Sequence, residues 1–576
     1  MGNILGIAGS HNGAAALYIE QLDKLVVLEI ERLLNIKNAA WATYYPVIDP
    51  NFCSELVIKY FKENYGITHF DLVRSISSDH NNRHVAYDFN FDLFEHNTVR
   101  YDSSGERVDW SGDTGDTSGD GWAAYHHKSH AANTFYQSSF NNALVFSFDG
   151  GGDDGWFIGY HLDRSKPKDK QMKTIHHSFT DLGNPYFYLG YFIKDISFIR
   201  DYGEACLTFA GKLMGYCSYG NVREDWIEPL RVYYKSWHRE GWTPVENKAM
   251  QFCHTLGNAI GLQFCFDEDR VPLESTRLEG QDAFDLIATS QKVFEDLFFE
   301  EVKHLIDEYK TNVCLTGGCA LNILNNTKIR DYVQSYGKDV FVAPNSSDCG
   351  LATGLVLDHL RPQNPVDVTY AGEPIFDIDN YFYYIGQYRN NEDVDLSKLA
   401  DEIDNNLIFG LVQGNSEHGP RALGNRSIIC SPRIGMKAIL NEKVKGREYY
   451  RPFAPVVRLE DVSEYFEWEG ECRHMNFAAI VKHQYRSQLA SITHQDNTAR
   501  IQTITREQNE LLYDLLTEMD NKNMIPVLLN TSFNLAGKPI LNTYKDAFEV
   551  LSKTKMDKLL IVNKYTNKYG RIFTKT

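Results

Sequence analysis

Paired cysteines are missing from this sequence. Its ten cysteines are scattered singly and none stand as Cys-x-x-Cys, so a paired-thiol site is not expected. Long apolar runs are missing too. No stretch approaches the roughly 18 residues a membrane span needs, so no membrane partner is expected. The opening residues, Met1 to Ser10, lack a basic segment followed by an apolar one. Together these absences predict a reduced, cytoplasmic protein. Positive charge is in deficit: 58 Lys and Arg face 77 Asp and Glu, a formal charge of −19. Such a chain repels a phosphate backbone, which argues against long nucleic acid as a partner. A small anion held in a local basic pocket stays compatible with that balance.

What is present is ordinary for a globular protein, 43% hydrophobic and 23% charged over 576 residues, enough for two or three domains. Two segments share a plan. Asn3 to Ile19 and Ala143 to Tyr160 each run as strand, polar Gly-rich turn, strand. One such hairpin in each half suggests a duplicated α/β unit with a cleft between the halves. Apolar residues at helical spacing predict a helix over Gln281 to Tyr309. Asn312 to Asn322 predicts a strand running through Gly-Gly into a helix, with Cys314 and Cys319 as packing thiols. Val340 to Pro344 predicts another strand, and a helix opens at Asp348. Asp102 to Gly121, rich in Asp, Gly, Ser and Thr, predicts a surface loop, with a lid role left open. The Pro-containing stretch from Arg361 to Asp367 marks a linker, with a domain boundary near residue 361.

Three groups of residues carry chemistry. In Tyr125 to Phe135, His126 and His130 are one helical turn apart and project from one face. Asp149 ends a buried strand and Asp348 begins a helix. Two nitrogens and two oxygens make a borderline set suited to Fe(II), Mn or Zn; His127, between the two, reads as structural or substrate-facing. Next, Asp149-Gly-Gly-Gly152 and Thr316 to Asn322 both follow strands. Gly150, Gly151, Gly317, Gly318 and Asn322 could there bring backbone N–H groups to phosphate oxygens. Finally, the acidic chain concentrates cations in its last third: Arg421 and Arg426 in Gly419 to Ser427, then Lys445, Arg447, Arg451 and Arg500. Ser532 sits on a turn after a strand predicted over Ile525 to Leu529. Arginine offers a planar fork of donors matched to phosphate and carboxylate, so this group predicts a specific anion site.

These motifs fall in one order. They include His-Asn-Gly-Ala-Ala-Ala-Leu from His11, His-His-Lys-Ser-His-Ala from His126, Phe-Asp-Gly-Gly-Gly from Phe148 and Gly-Lys-Leu-Met-Gly-Tyr from Gly211. They continue with Gly-Gly-Cys-Ala-Leu-Asn from Gly317, Gly-Pro-Arg-Ala-Leu-Gly-Asn-Arg-Ser from Gly419, Arg-Pro-Phe-Ala-Pro from Arg451 and Leu-Asn-Thr-Ser-Phe-Asn from Leu529. Over nearly its whole length the chain resembles the O-carbamoyltransferases of nodulation-factor, cephamycin and aminoglycoside biosynthesis. The resemblance implies an α/β fold in two parts. Residues 1–361 would form a duplicated actin/hexokinase-like (ASKHA) carbamoyl-transfer domain, akin to the tRNA threonylcarbamoyl-transfer enzyme. Residues 362–576 would form a YrdC-like domain that makes carbamoyl-adenylate from carbamoyl phosphate and ATP, with Mg accompanying the nucleotide. The intermediate would then pass to the first domain, where a hydroxylated small molecule attacks it.

The same resemblance implies roles for particular residues. Carbamoyl-phosphate and ATP contacts fall on Arg421, Arg426, Lys445, Arg451, Arg500 and Ser532. Metal ligands, iron in relatives, fall on His126, His130, Asp149 and Asp348, with His11 and Lys37 near the transfer site. His11 or His127 would take the acceptor's proton. The chain departs from the family pattern at Asn12, where an Asp is usual, at His418, where an aromatic is common, and at Asn345-Ser-Ser347, where smaller residues are favoured. A metabolite kinase of the same superfamily and a nonenzymatic nucleotide-binding module stay open as rivals. A hydroxymethylated nucleobase or nucleotide stays open as the acceptor, and a homodimer as the assembly.

Overall fold

The structure is a computed structural model. It describes residues 2–9, 11–39, 50–76, 96–98, 100–101, 107–108, 126–152, 155–196, 199, 202–237, 256–265, 272–388 and 390–575. The Asp102 to Gly121 stretch lies almost wholly outside the described residues. The chain divides into two compact units that interleave in sequence. One comprises Met1–Lys24 and Ala40–Val366, the other Leu25–Ala39 and Asp367–Thr576.

In the first unit, the predicted hairpins form two sheets with the same sequence of pairings. Strand β1 (Ile4–Ala8) pairs antiparallel with β2 (Ala14–Ile19). The next strand in the chain, β3 (Lys24–Glu29), leads into the segment grouped with the second unit. On its other side β1 pairs parallel with β4 (Phe70–Ile76), which pairs parallel with β5 (His96–Thr98). In the second sheet β6 (Asn142–Gly152) pairs antiparallel with β7 (Gly155–Asp163), and β7 with β8 (Met172–Ser178). β6 also pairs parallel with β9 (Asn312–Thr316), which pairs parallel with β10 (Val340–Val342). The inner strands β1 and β9 are buried almost throughout, as strands covered on both faces must be.

Four helices matter for the site: α2 (His126–Gln137), α3 (Gly280–Tyr309), α4 (Ile323–Gln334) and α5 (Leu351–Leu360). They follow α1 (Ile30–Leu34), which belongs to the second unit. The helix expected over Gln281 to Tyr309 forms as α3. α2 and α5 meet backbone to backbone. A Cβ at Gly354 would lie 2.1 Å from the Ser129 carbonyl oxygen, and one at Gly6 2.3 Å from that of Ala352. Small residues thus seat α5 against both β1 and α2. A buried amide network completes the seating: Asn345 Nδ2 donates to Asn133 Oδ1 at 3.1 Å, and Gln137 Nε2 donates to Asn345 Oδ1 at 3.0 Å. This network fixes the turn before Asp348 against the helix carrying His126 and His130. Gly354→Val is therefore expected to cost about 3 kcal/mol, the upper range for overpacking. Urea unfolding would measure it, with Gly386→Ala, in a helix where a Cβ meets nothing within 4 Å, as a control that should not destabilise.

The second unit is built on an eight-stranded mixed sheet. Its strands are β11 (Asn391–Asp393), β12 (Phe409–Gln413), β13 (Arg426–Cys430), β14 (Ala454–Arg458), β15 (Gln502–Ile504), β16 (Val527–Ser532), β17 (Lys558–Val562) and β18 (Arg571–Thr574). They lie in the order β11-β18-β17-β12-β13-β16-β14-β15. Helices α6 (Leu396–Asp404) and α7 (Glu510–Asn521) cover one face, burying Leu399, Ile403, Leu512 and Leu515 against Phe409, Ile429 and Leu528. No helix among the described residues is long and apolar enough to cross a membrane.

Candidate functional site

His126 opens α2 and His130 follows one turn later, so both rings leave the same face. Their Nε2 atoms stand 3.2 Å apart, with ring planes at 77°. Asp149 arrives from β6 and Asp348 from the turn preceding α5. His130 Nε2 lies 3.2 Å from Asp149 Oδ2 and 3.4 Å from Asp348 Oδ1; His126 Nε2 lies 3.7 and 3.8 Å from the same two atoms. All four ligand atoms fall within 4.8 Å of one another. One ion bonded at about 2.0–2.2 Å spaces tetrahedral ligand atoms about 3.3–3.6 Å apart, so this set fits a divalent metal. His11, on the β1–β2 turn, stands beside it, Nε2 3.4 Å from Asp348 Oδ2.

The electrostatics point the same way. Burial pushes His130 down, but Asp149 and Asp348 outweigh it and hold the imidazole up at about 9. Burial pushes both carboxyls up, yet the imidazoles keep Asp149 well below and Asp348 below the usual carboxylate range. Without a cation, a proton on His130 offsets part of the charge of the two carboxylates. Unfolded, that imidazole titrates near 6.5. Its stabilising contribution is thus complete below about 6.5 and vanishes as pH rises through about 9. Metal-stripped protein is expected to lose melting temperature across that window, and metal affinity to rise across it as the proton is displaced. Calorimetric melting with and without chelator checks both.

The neighbouring loops are tied to this cluster. Asp149 accepts from the backbone N–H of Gly150 at 2.6 Å and of Gly318 at 2.9 Å. Gly317 holds φ at +91°, and a Cβ there would sit 2.2 Å from the Phe148 carbonyl oxygen. Only glycine lets this loop pass so close to β6. Asn184, which nothing in the sequence singled out, donates to the Gly150 carbonyl and to Asp181 Oδ2. Gly151 lies within β6. Asn322 is engaged structurally: its side chain caps α4 at Asn325 N and exchanges hydrogen bonds with Gln291. His127 turns to the β6–β7 hairpin, with Nδ1 2.8 Å from Ser147 Oγ and Nε2 3.0 Å from the Gly155 carbonyl.

A second site lies within the second unit. Lys445 ends a π-helical stretch, Leu440–Lys445, closed by Gly446 at φ 56°. Its ammonium donates to the Ser532 carbonyl at 2.7 Å, the Asn534 carbonyl at 3.0 Å and Asn534 Oδ1. Ser532 Oγ donates to Asn534 Oδ1 at 2.8 Å. Asn534, which closes the Leu-Asn-Thr-Ser-Phe-Asn motif just beyond β16, thus anchors both Lys445 and Ser532. Burial, then Arg447 and Arg451, push Lys445 well below its ordinary value. Burial and Arg451 bring Arg421 down to about 10, and burial with Arg421, Arg447 and Arg451 depresses Arg500. Arg421 and Arg500 have no hydrogen-bond or ion-pair partner among the described residues, and the Nε of each is buried. Arg451 meets a carboxylate, Glu448, at 3.7 Å. Cations gathered with so little counter-charge repel one another, and a bound anion relieves that.

Two expected members stand elsewhere. Arg426 is wholly buried in β13, donating to Asn542 Oδ1 and to the carbonyls of Gln413, Asn425 and Gly414. Four of its five N–H donors are engaged by protein oxygens, so it braces the fold. Lys37 lies in the Leu25–Ala39 segment of the second unit, where its charge contributes to depressing Lys445.

Comparison with known proteins gives a consistent answer. The family model described as carbamoyltransferase N-terminus matches residues 117–357, and that described as carbamoyltransferase C-terminus matches residues 400–568. Nodulation protein NolO of Bradyrhizobium diazoefficiens is 31% identical over 455 residues, 76% of this chain and 77% of that protein. The 3'-hydroxymethylcephem-O-carbamoyltransferase of Streptomyces clavuligerus is 32% identical over 362 residues, 62% of this chain and 64% of that protein. The solved structure of T. kodakarensis HypF covers 63% of this chain and 48% of its own at 13% identity, with a TM-score of 0.32, too loose a likeness to build on.

Proposed function

This chain belongs to the carbamoyltransferase family and is a transferase, and from that premise we propose that it activates a carbamoyl group with ATP and moves it to a hydroxyl of a small molecule. The observation that carries the two-step reading is the pair of chemically opposite sites. One is cationic, with two arginines that have no partner among the described residues; the other is a His/Asp set fitted to a divalent metal. The first unit corresponds in this reading to an ASKHA-like domain, supported by its two sheets of like pairing, and the second to a YrdC-like domain.

In the cationic site, Arg421, Arg451 and Arg500 receive phosphate oxygens of carbamoyl phosphate and ATP. Lys445, whose three donors go to Ser532 and Asn534, holds that turn in place and adds its charge to the site. Water releases phosphate from carbamoyl phosphate. A carbamate oxygen then attacks the α-phosphorus of ATP and expels pyrophosphate, leaving carbamoyl-adenylate. The cations offset the charge that gathers as these bonds exchange.

In the other site, His126, His130, Asp149 and Asp348 would hold a divalent ion, Fe(II), Mn or Zn, which as a Lewis acid polarises an oxygen bound to it. The N–H groups of Gly150 and Gly318 are committed to Asp149 and that of Gly317 to the Ser346 carbonyl, so these glycines shape the loops around the His/Asp set and are not assigned to the adenylate phosphate. His11, oriented by Asp348, accepts the proton of the attacking hydroxyl. His127, with both nitrogens engaged, supports the hairpin. The hydroxyl oxygen bonds to the carbamoyl carbon and AMP leaves.

The test is incubation with carbamoyl phosphate, ATP and a panel of hydroxylated acceptors, hydroxymethylated nucleosides included, followed by mass spectrometry. A carbamoyl adduct with AMP and pyrophosphate as co-products is expected. ADP with a phosphorylated acceptor would instead mean a kinase.

A further inference from the structure

The loop presenting Arg421 is gripped from the Leu25–Ala39 segment. Glu29, the last residue of β3, accepts through Oε1 from Gly419 N at 2.9 Å and from His418 Nδ1 at 2.9 Å. Arg32, one turn along α1, donates through Nη2 to the Gly419 carbonyl at 2.7 Å and forms an ion pair with Glu29 Oε2. Both polar groups of Gly419 are therefore taken by a single carboxylate–guanidinium pair. Glu29 is 6% exposed, Arg32 4% and His418 0%. Burying two charges is costly unless they are paired and hydrogen-bonded, and truncating one leaves the other stranded. Gly419 sits at φ +126°, two residues before Arg421. On the far side, Glu417 Oε1 accepts from the backbone N–H groups of Leu423, Asn425 and Arg426 at 2.8, 2.8 and 3.0 Å. The loop is thus fixed at both ends, while the guanidinium it carries has no hydrogen-bond or ion-pair partner among the described residues. Such a group is held in place by its backbone alone.

We infer that Glu29 and Arg32 are positioning residues for Arg421, fixing through Gly419 where its guanidinium meets the phosphate of carbamoyl phosphate. The inference rests on the adenylate-forming reading above. A pair that merely stabilised the fold would act independently of Arg421; a positioning pair acts only through it.

A double-mutant cycle separates the two. Pyrophosphate release from ATP, dependent on carbamoyl phosphate, is measured in the full-length enzyme, in Glu29→Gln, in Arg421→Lys and in the double variant. Glu29→Gln is expected to raise KM for carbamoyl phosphate about tenfold, with kcat changed less than about threefold. In the Arg421→Lys background the same change should add less than about twofold. Arg32→Lys, which keeps the charge and loses the fork, should repeat the pattern and carries the cycle if Glu29→Gln does not melt cooperatively. Effects that multiply fully in the double variant would overturn the inference. Wild-type enzyme releasing no pyrophosphate would instead overturn the underlying reading, and the positioning role with it.

Discussion

His130→Ala is expected to abolish carbamoyl transfer while leaving carbamoyl-phosphate-dependent pyrophosphate release within about threefold of wild type. His130 is the imidazole nearest both carboxylates, at 3.2 and 3.4 Å. Removing it takes one of four ligands from a divalent site and leaves Asp149 and Asp348 facing each other with less counter-charge. Second-shell changes at metal sites alone cost 10–100-fold, so loss of a ligand should exceed about 100-fold in product formed. Parallel assays of pyrophosphate and carbamoylated product on one preparation check this. Full transfer by the variant in metal-free buffer would refute the metal assignment.

Arg421→Ala is expected to do the reverse and lose pyrophosphate release itself, by about 10³-fold. Removing one preorganised donor from a charged transition state typically costs 10²–10³, and here the remaining cations bind a polyanion with one guanidinium fewer. The same change should raise the melting temperature of the substrate-free enzyme. Arg421 contributes to depressing Arg500, and it has no partner among the described residues to repay its partial burial. Function and stability would thus move in opposite directions, as at sites strained for a ligand. Scanning calorimetry beside the pyrophosphate assay tests both signs at once. An active Arg421→Ala enzyme would dismiss the anion site.

Much of this was legible in the sequence, for identifiable reasons. Short-range periodicity disclosed the long helix α3 and the His126–His130 pair, because helical spacing is a local property. Glycine after a strand disclosed the turn at Gly317, but misled at Gly150, where β6 runs on to Gly152. Arg426 shows where residue type misleads: its neighbours in sequence are the same as those of a phosphate ligand, and only the arrangement of carbonyl oxygens around it reveals a brace. Lys37 shows the limit of position along the chain. It stands among residues of the first unit in sequence, yet the strand before it carries it into the second. Glu29 and Arg32 were passed over because their partners lie on distant stretches, up to 390 residues away for Glu29 and Gly419, and no local pattern encodes such a separation. The departure at His418 gains a meaning from the same contact: an imidazole there can donate to Glu29, which a phenyl ring cannot.

The gripping of Gly419 by residues from near the start of the chain also bears on dissection of the gene. A truncated polypeptide starting at Asp367 would keep every strand of the eight-stranded sheet and still be incomplete. Its Gly419 amide and carbonyl would lose the partners that Glu29 and Arg32 supply. Such a fragment should be soluble only poorly, and a synthetic peptide covering Leu25–Ala39, supplied in trans, should improve its yield.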